Sequence, residues 1–179
     1  MDTALEAERV EAIRRTILEV EGVESLHQLR TRRMGGAALV DVHIQVDPRI
    51  SVTEGHQIGE AVRQRLMDTF EDISDVTVHI DPEDDEKAPL NLDLPLRRTL
   101  LRELQGYWKD VRGASLIRRV NLHYLGGKLH VELFLPCLGD PQKAGELASA
   151  LEEATLRHPQ VASVNIYQEG CTSSVHSAP

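Results

Sequence analysis

The sequence predicts an α+β protein made of two open αββαβ units in tandem, and three observations carry that reading. Apolar residues recur at helical spacing in four stretches, apolar–polar alternation marks the strands, and Gly35-Gly36 and Gly126-Gly127 each separate two strand-like segments. At 179 residues the chain is long enough for two small domains, each burying its own core.

Taken in order, Val10, Ile13, Ile17 and Val20 form a helical stripe that Gly22 stops. From Leu39 to Asp47, Val40, Val42, Ile44 and Val46 alternate with Asp41, His43, Gln45 and Asp47, as a half-buried strand requires. Ser25 to Arg33 pairs with it across Gly35-Gly36 as a hairpin. Pro48 ends the strand, and Ser51-Val-Thr-Glu54 has the spacing of a capping box. The helix it opens carries the stripe Ile58, Val62, Leu66 and Phe70. A third strand, Asp75 to Asp81, turns Val76, Val78 and Ile80 inward and Thr77, His79 and Asp81 outward.

Residues 83–97 combine an acidic run with prolines and no period, which marks a linker between a first unit, 1–82, and a second, 98–169. The second repeats the order. Leu100 (or Leu101), Leu104, Trp108 and Val111 form a helix, Leu116 to Tyr124 and Lys128 to Leu135 a hairpin, Asp140-Pro141 starts a helix with Ala144, Leu147, Leu151 and Ala154, and Val161 to Gln168 is the last strand. Aligning the two Gly-Gly turns makes an internal duplication the economical reading. Each unit is then of the ferredoxin-like, metallochaperone-like kind, with helices on one face of its sheet and the other face free. The Ser-rich tail, 170–179, is expected to be flexible.

Composition excludes several functions. The 20 Lys+Arg against 29 Asp+Glu give a net charge of -9, which repels nucleic acid and anionic lipid. Apolar runs fall far short of the roughly 20 residues that span a bilayer, so no membrane insertion by this segment is expected, and the N-terminus lacks the features of a signal peptide. Cys137 and Cys171 match no ligand spacing and fit a reducing compartment, although Cys171 in the tail can be recruited by a soft metal.

The eight histidines are the informative residues. His43, His79 and Asp81 share the uncovered face of the first sheet. A three-residue loop centred on Gly35 would set His27 directly opposite His43, a two-residue turn would pair it with Ile44 and bury it, and a bulge would return it to the outer face. Imidazoles with a carboxylate suit zinc or another borderline divalent ion. His56 faces away from its own helix's core and can complete the coordination.

These residues sit in a recognisable frame. Gly22-Val23-Glu-Ser-Leu-His27-Gln-Leu-Arg30-Thr31-Arg32, Val40-Asp-Val-His43-Ile, Val52-Thr-Glu-Gly-His56 and Val78-His79-Ile-Asp81-Pro82 resemble the C-terminal cytoplasmic domain of cation diffusion facilitator transporters, over residues 10 to 82. The resemblance implies an αββαβ domain that forms a homodimer on the cytoplasmic side of the inner (plasma) membrane and binds divalent metal at and near the dimer interface. It implies a metal-sensing module that regulates transport by a transmembrane domain preceding residue 1. By position it makes His27, His43, His79 and Asp81 direct ligands of a mono- or binuclear site, and His56 a further ligand near the interface or from the partner protomer. The metal is expected to be zinc, with cobalt, iron, manganese and cadmium compatible with the same donors.

The second copy departs from this pattern, with Arg118 at the position of His27, Phe134 at His43, Gly145 at His56, Tyr167 at His79 and Glu169 at Asp81. Its expected role is dimer area or partner contact. A two-residue Gly126-Gly127 turn sets His123 opposite His130, a pair that either holds metal weakly or is two exposed strand histidines. The alternative function is a free-standing divalent-metal carrier with no attached transporter. No enzyme activity is expected, since no general base or nucleophile motif accompanies the ligands.

Overall fold

A computed structural model describes residues 5–84, 87–89 and 91–170. It divides into two compact units, Met1–Ala88 and Pro89–Pro179, each with its own core. Among the described residues no helix is long and apolar enough to cross a membrane.

The first unit runs α1 (Ala7–Leu18), β1 (Ser25–Met34), β2 (Ala37–Gln45), α2 (Val52–Thr69) and β3 (Ile73–Asp81). Its sheet has the order β1-β2-β3, with β2 antiparallel to β1 and parallel to β3. The parallel pair requires a crossover, and α2 supplies it. Ser51 opens α2 by accepting the Glu54 N–H at 3.1 Å, so the sequence-level cap is realised as an N-cap. β2 alternates between buried and half-buried residues along its whole length, and Ala38, Val42 and Ile44 are fully buried beneath Ile13, Ile17, Val62 and Leu66. Burying each such Val, Ile or Leu side chain stabilises the unit by about 1.5–3 kcal/mol. Gly59 lets α2 approach β3 closely: a Cβ there would lie 3.1 Å from Ile80 Cδ1.

The second unit repeats the order as α3 (Arg97–Trp108), β4 (Arg119–Leu125), β5 (Lys128–Pro136), α4 (Pro141–Leu156) and β6 (Val161–Glu169), with strand order β4-β5-β6 and the same pairing senses. The two-residue turn at Gly126-Gly127 gives the expected register: Val120 opposite Leu133, Leu122 opposite Val131, His123 opposite His130. Asp140 caps α4 by accepting from the Gln142 and Lys143 N–H groups, and Pro141 sits in the first turn. Trp108 lies in the core and donates its indole N–H to Thr155 Oγ1 at 2.8 Å, which satisfies both buried polar groups.

Both units are α+β with an open αββαβ order, which is the tandem ferredoxin-like class the sequence predicts. Two stretches differ from the simple repeat. Part of the acidic, proline-containing segment is integral to the second unit: Leu94 is buried in that core, Asn91 accepts the Gly127 N–H, and Tyr124 donates its hydroxyl to the Pro95 carbonyl. Between α3 and β4 a 3-10 turn, Ala114–Leu116, follows Gly113 at φ 96°, a left-handed conformation that glycine adopts without Cβ strain. Cys171 and the rest of the tail lie outside the described residues.

Candidate metal centre

The centre is built on the face of the first sheet opposite its helices. On β2 the outward residues are Leu39, Asp41, His43 and Gln45, because their neighbours Val40, Val42 and Ile44 are buried. The parallel register then sets His43 beside His79, Asp41 beside Thr77 and Gln45 beside Asp81. Contacts run diagonally across that ladder. His43 Nδ1 is hydrogen-bonded to Asp81 Oδ2 at 2.9 Å, and His79 Nε2 lies 3.3 Å from Asp41 Oδ1. The His43 and His79 rings stack with centroids 4.2 Å apart and an interplanar angle of 9°.

His27 reaches this face by the bulge. The hairpin turns on two residues, Gly35 and Gly36, with Met34 opposite Ala37, and that register continues down to Gln28 opposite His43. Between Leu26 and Gln28 the register slips by one, leaving His27 as the extra residue. Its Nε2 comes within 3.1 Å of Asp81 Oδ2, and the side chain is only 7% exposed. Neither ring nitrogen of His27 has a hydrogen-bond partner of good geometry, and Asp41 Oδ1 is likewise buried without one. Buried polar atoms without partners are costly, so these are open valences for a ligand.

Two sets of donors result. His27, His43 and Asp81 offer ligand atoms that all lie within 4.8 Å of one another, and so do Asp41, His43 and His79. His43 belongs to both. Imidazole and carboxylate together are the donor chemistry of borderline divalent ions, so the residues present fit such an ion. The hydrogen bond from His43 to Asp81 is also the kind of contact that fixes a ligating imidazole's orientation.

Of the sequence-predicted site residues, the fold brings together His27, His43, His79 and Asp81. It does not bring His56 to them: His56 is exposed in the first turns of α2 and lines a separate depression of about 400 Å³ with Asp47, Ile50 and Pro82. Asp41 is the residue that sequence reasoning did not assign, although its signal was present: it is the outward residue two positions before His43 on an alternating strand.

The first unit has known relatives. Residues 5–83 match the family model described as the cytoplasmic domain of cation efflux proteins. Over 82 residues, 46% of this chain, the sequence is 48% identical to metal tolerance protein C1 of Arabidopsis thaliana, and over a segment of the same length it is 34% identical to the cation-efflux pump FieF of Pectobacterium atrosepticum. These matches span 17% and 27% of those proteins' own lengths. The manganese efflux system protein MneP of Bacillus subtilis is 26% identical over a comparable segment. Among solved structures, the manganese form of a MamM CTD variant is 30% identical with a TM-score of 0.42, the match covering 44% of this chain and 100% of that one. The first unit of this chain, residues 5–83, belongs to the cation efflux protein family as one of its cytoplasmic domains.

Proposed function

We propose that this chain is the metal-sensing, dimerising cytoplasmic part of a divalent cation efflux transporter. The observation that carries the reading is the convergence of His27, Asp41, His43, His79 and Asp81 on the face of the first sheet opposite α1 and α2, with two three-donor sets sharing His43. Zinc is the ion we assign, because two or three imidazoles with a carboxylate are its ordinary donor set. The shared His43 is compatible with a mononuclear or a binuclear site.

The regulatory step is electrostatic on this reading. The first unit holds 20 acidic and 10 basic residues, so two copies repel as they approach. A dication held by the carboxylate-bearing face lowers that repulsion and selects one paired orientation, a population shift paid for by differential affinity for the two states. His56, exposed on α2 and outside both donor sets of its own chain, is the ligand we assign to pairing with a second copy. The second unit is a copy of the same fold that has lost the ligands, joined to the first through the acidic segment that begins at residue 83 and followed by a tail at 170–179. The transmembrane part precedes residue 1.

Native mass spectrometry of the metal-stripped chain titrated with zinc, beside the variant His43→Ala, His79→Ala, reads stoichiometry and oligomeric state together. One to a few ions per chain in a dimer, lost in the variant, is the expected result. A monomer that takes up no zinc, or a variant that binds as the parent does, overturns the reading.

A further inference from the structure

The second unit carries its own constellation at the places where the first has its ligands. Phe134 follows Gly127 by the same spacing as His43 follows Gly36. It pairs with Tyr167 as His43 pairs with His79, and both pairs are stacked, with Phe134–Tyr167 centroids 5.1 Å apart. Glu169 lies two residues beyond Tyr167 as Asp81 lies two beyond His79. Arg119 sits opposite Phe134 where the first unit sets Gln28, beside the bulged His27, opposite His43.

The Arg119 guanidinium lies 3.7 Å from the centroid of the Phe134 ring, and its Nη2 donates to Glu169 Oε1 at 3.0 Å. One permanently charged group thereby satisfies both the carboxylate and the aromatic face. In the first unit the matching carboxylate, Asp81, is met by the imidazoles of His27 and His43. The overall charge differs in the same sense, for the second unit holds 9 acidic and 10 basic residues. Among the described residues both donor sets spaced for a metal lie in the first unit, and His130 is instead hydrogen-bonded through Nδ1 to Ser163 Oγ at 2.7 Å.

We infer that Arg119 is a resident cation: its guanidinium takes the place that a divalent ion takes in the first unit, so the second unit holds its outer face in a neutralised arrangement without metal. The inference rests on the reading of the first face as a divalent-cation site. It divides the chain into a metal-responsive half and a metal-insensitive half.

Trp108 is the chain's single tryptophan and is buried in the second core, so its fluorescence during urea unfolding of the full chain reports that unit. In the His43→Ala, His79→Ala background, excess zinc is expected to leave the Trp108 midpoint unmoved; a rise means the second unit binds metal and overturns the inference. Arg119→Ala is expected to lower the midpoint with or without EDTA, while Arg118→Ala, an exposed neighbour, leaves it in place. Equal effects of the two reduce Arg119 to an ordinary surface cation. A fourfold variant, Arg119→Gln, Phe134→His, Tyr167→His and Glu169→Asp, is expected to take up one zinc more than its parent in native mass spectrometry and to acquire a zinc-dependent midpoint; a folded variant with no extra zinc overturns the positional equivalence. Zinc uptake by the parent chain is counted separately, so failure of the first-unit site is told apart from failure of Arg119.

Discussion

The two outer sheet faces share a register and differ in chemistry. On the first, His43 stacks on His79 and the carboxylates of Asp41 and Asp81 lie diagonally beside them. On the second, Phe134 stacks on Tyr167 and Arg119 bridges that stack to Glu169. The difference teaches that the αββαβ frame fixes where the central strand's outward residues meet those of its parallel neighbour, while the side chains placed there decide whether the carboxylate at the end of the third strand meets imidazoles or a guanidinium. Function lives in the grafted site and not in the frame.

The largest expected effect tests whether the two halves are independent at all. Ile44 and Leu135 occupy the same place on β2 and β5, and both are fully buried. Truncation of either to Ala is expected to cost about 2–5 kcal/mol in its own unit. Trp108 fluorescence should then shift to lower urea for Leu135→Ala and stay in place for Ile44→Ala, whereas far-ultraviolet circular dichroism registers both. A Trp108 shift of the same size in both variants would mean that the units unfold as one, and the comparison between them would lose its meaning.

Within the first unit the donors are not equivalent. His43 serves both sets, so His43→Ala is expected to weaken zinc binding by at least about 100-fold, on the order of 3 kcal/mol. His27→Ala and Asp41→Asn each touch one set and are expected to cost roughly tenfold, or about 1.4 kcal/mol. Competition against a chromophoric chelator measures all three. If Asp41→Asn matches His43→Ala, the set containing His79 is the tight one; if it changes nothing, the Asp81 set alone holds the ion.

Much of this was legible in the sequence, and the exceptions have physical causes. The β2 alternation of Val40, Val42 and Ile44 sets which face His43 takes, because a period of two leaves no other choice. Ser51 and Asp140 announce their helices, since a side-chain oxygen there can accept an N–H that the helix itself leaves unpaired. His27 was undecidable: a two-residue turn alone pairs it with Ile44 and buries it, and only the slip between Leu26 and Gln28 returns it to the face. A bulge is a local accommodation with no residue-type signature at this site. Asp41 was readable as outward but not as a donor, because its approach to His79 depends on the stagger of a parallel pair far apart in sequence. The Arg119 bridge was missed for a related reason. An alignment by spacing equates Arg118 with His27, whereas the unbulged β4 presents Arg119 to the outer face.

The smallest effect sharpens the contrast between the faces by pH. Burial raises the Glu132 pKa, but hydrogen bonds from Asn121 and His123, the His123 charge and the Tyr167 hydroxyl together outweigh it, so the carboxyl is held below its ordinary value of 4.5. A depressed folded-state pKa contributes stability that is present above 4.5, the value in the unfolded chain, and is lost as pH falls through the lower folded value. Glu132→Gln keeps the shape and removes the charge, and is expected to lower second-unit stability by about 0.5–1 kcal/mol at neutral pH. The gap between wild type and variant in the Trp108 urea midpoint should then close as the pH is taken below 4.5. Because no metal competes for Glu132 on the resident-cation reading, zinc should leave this pH profile where it is; a profile displaced by zinc would place a metal on the second face and remove the asymmetry between the halves.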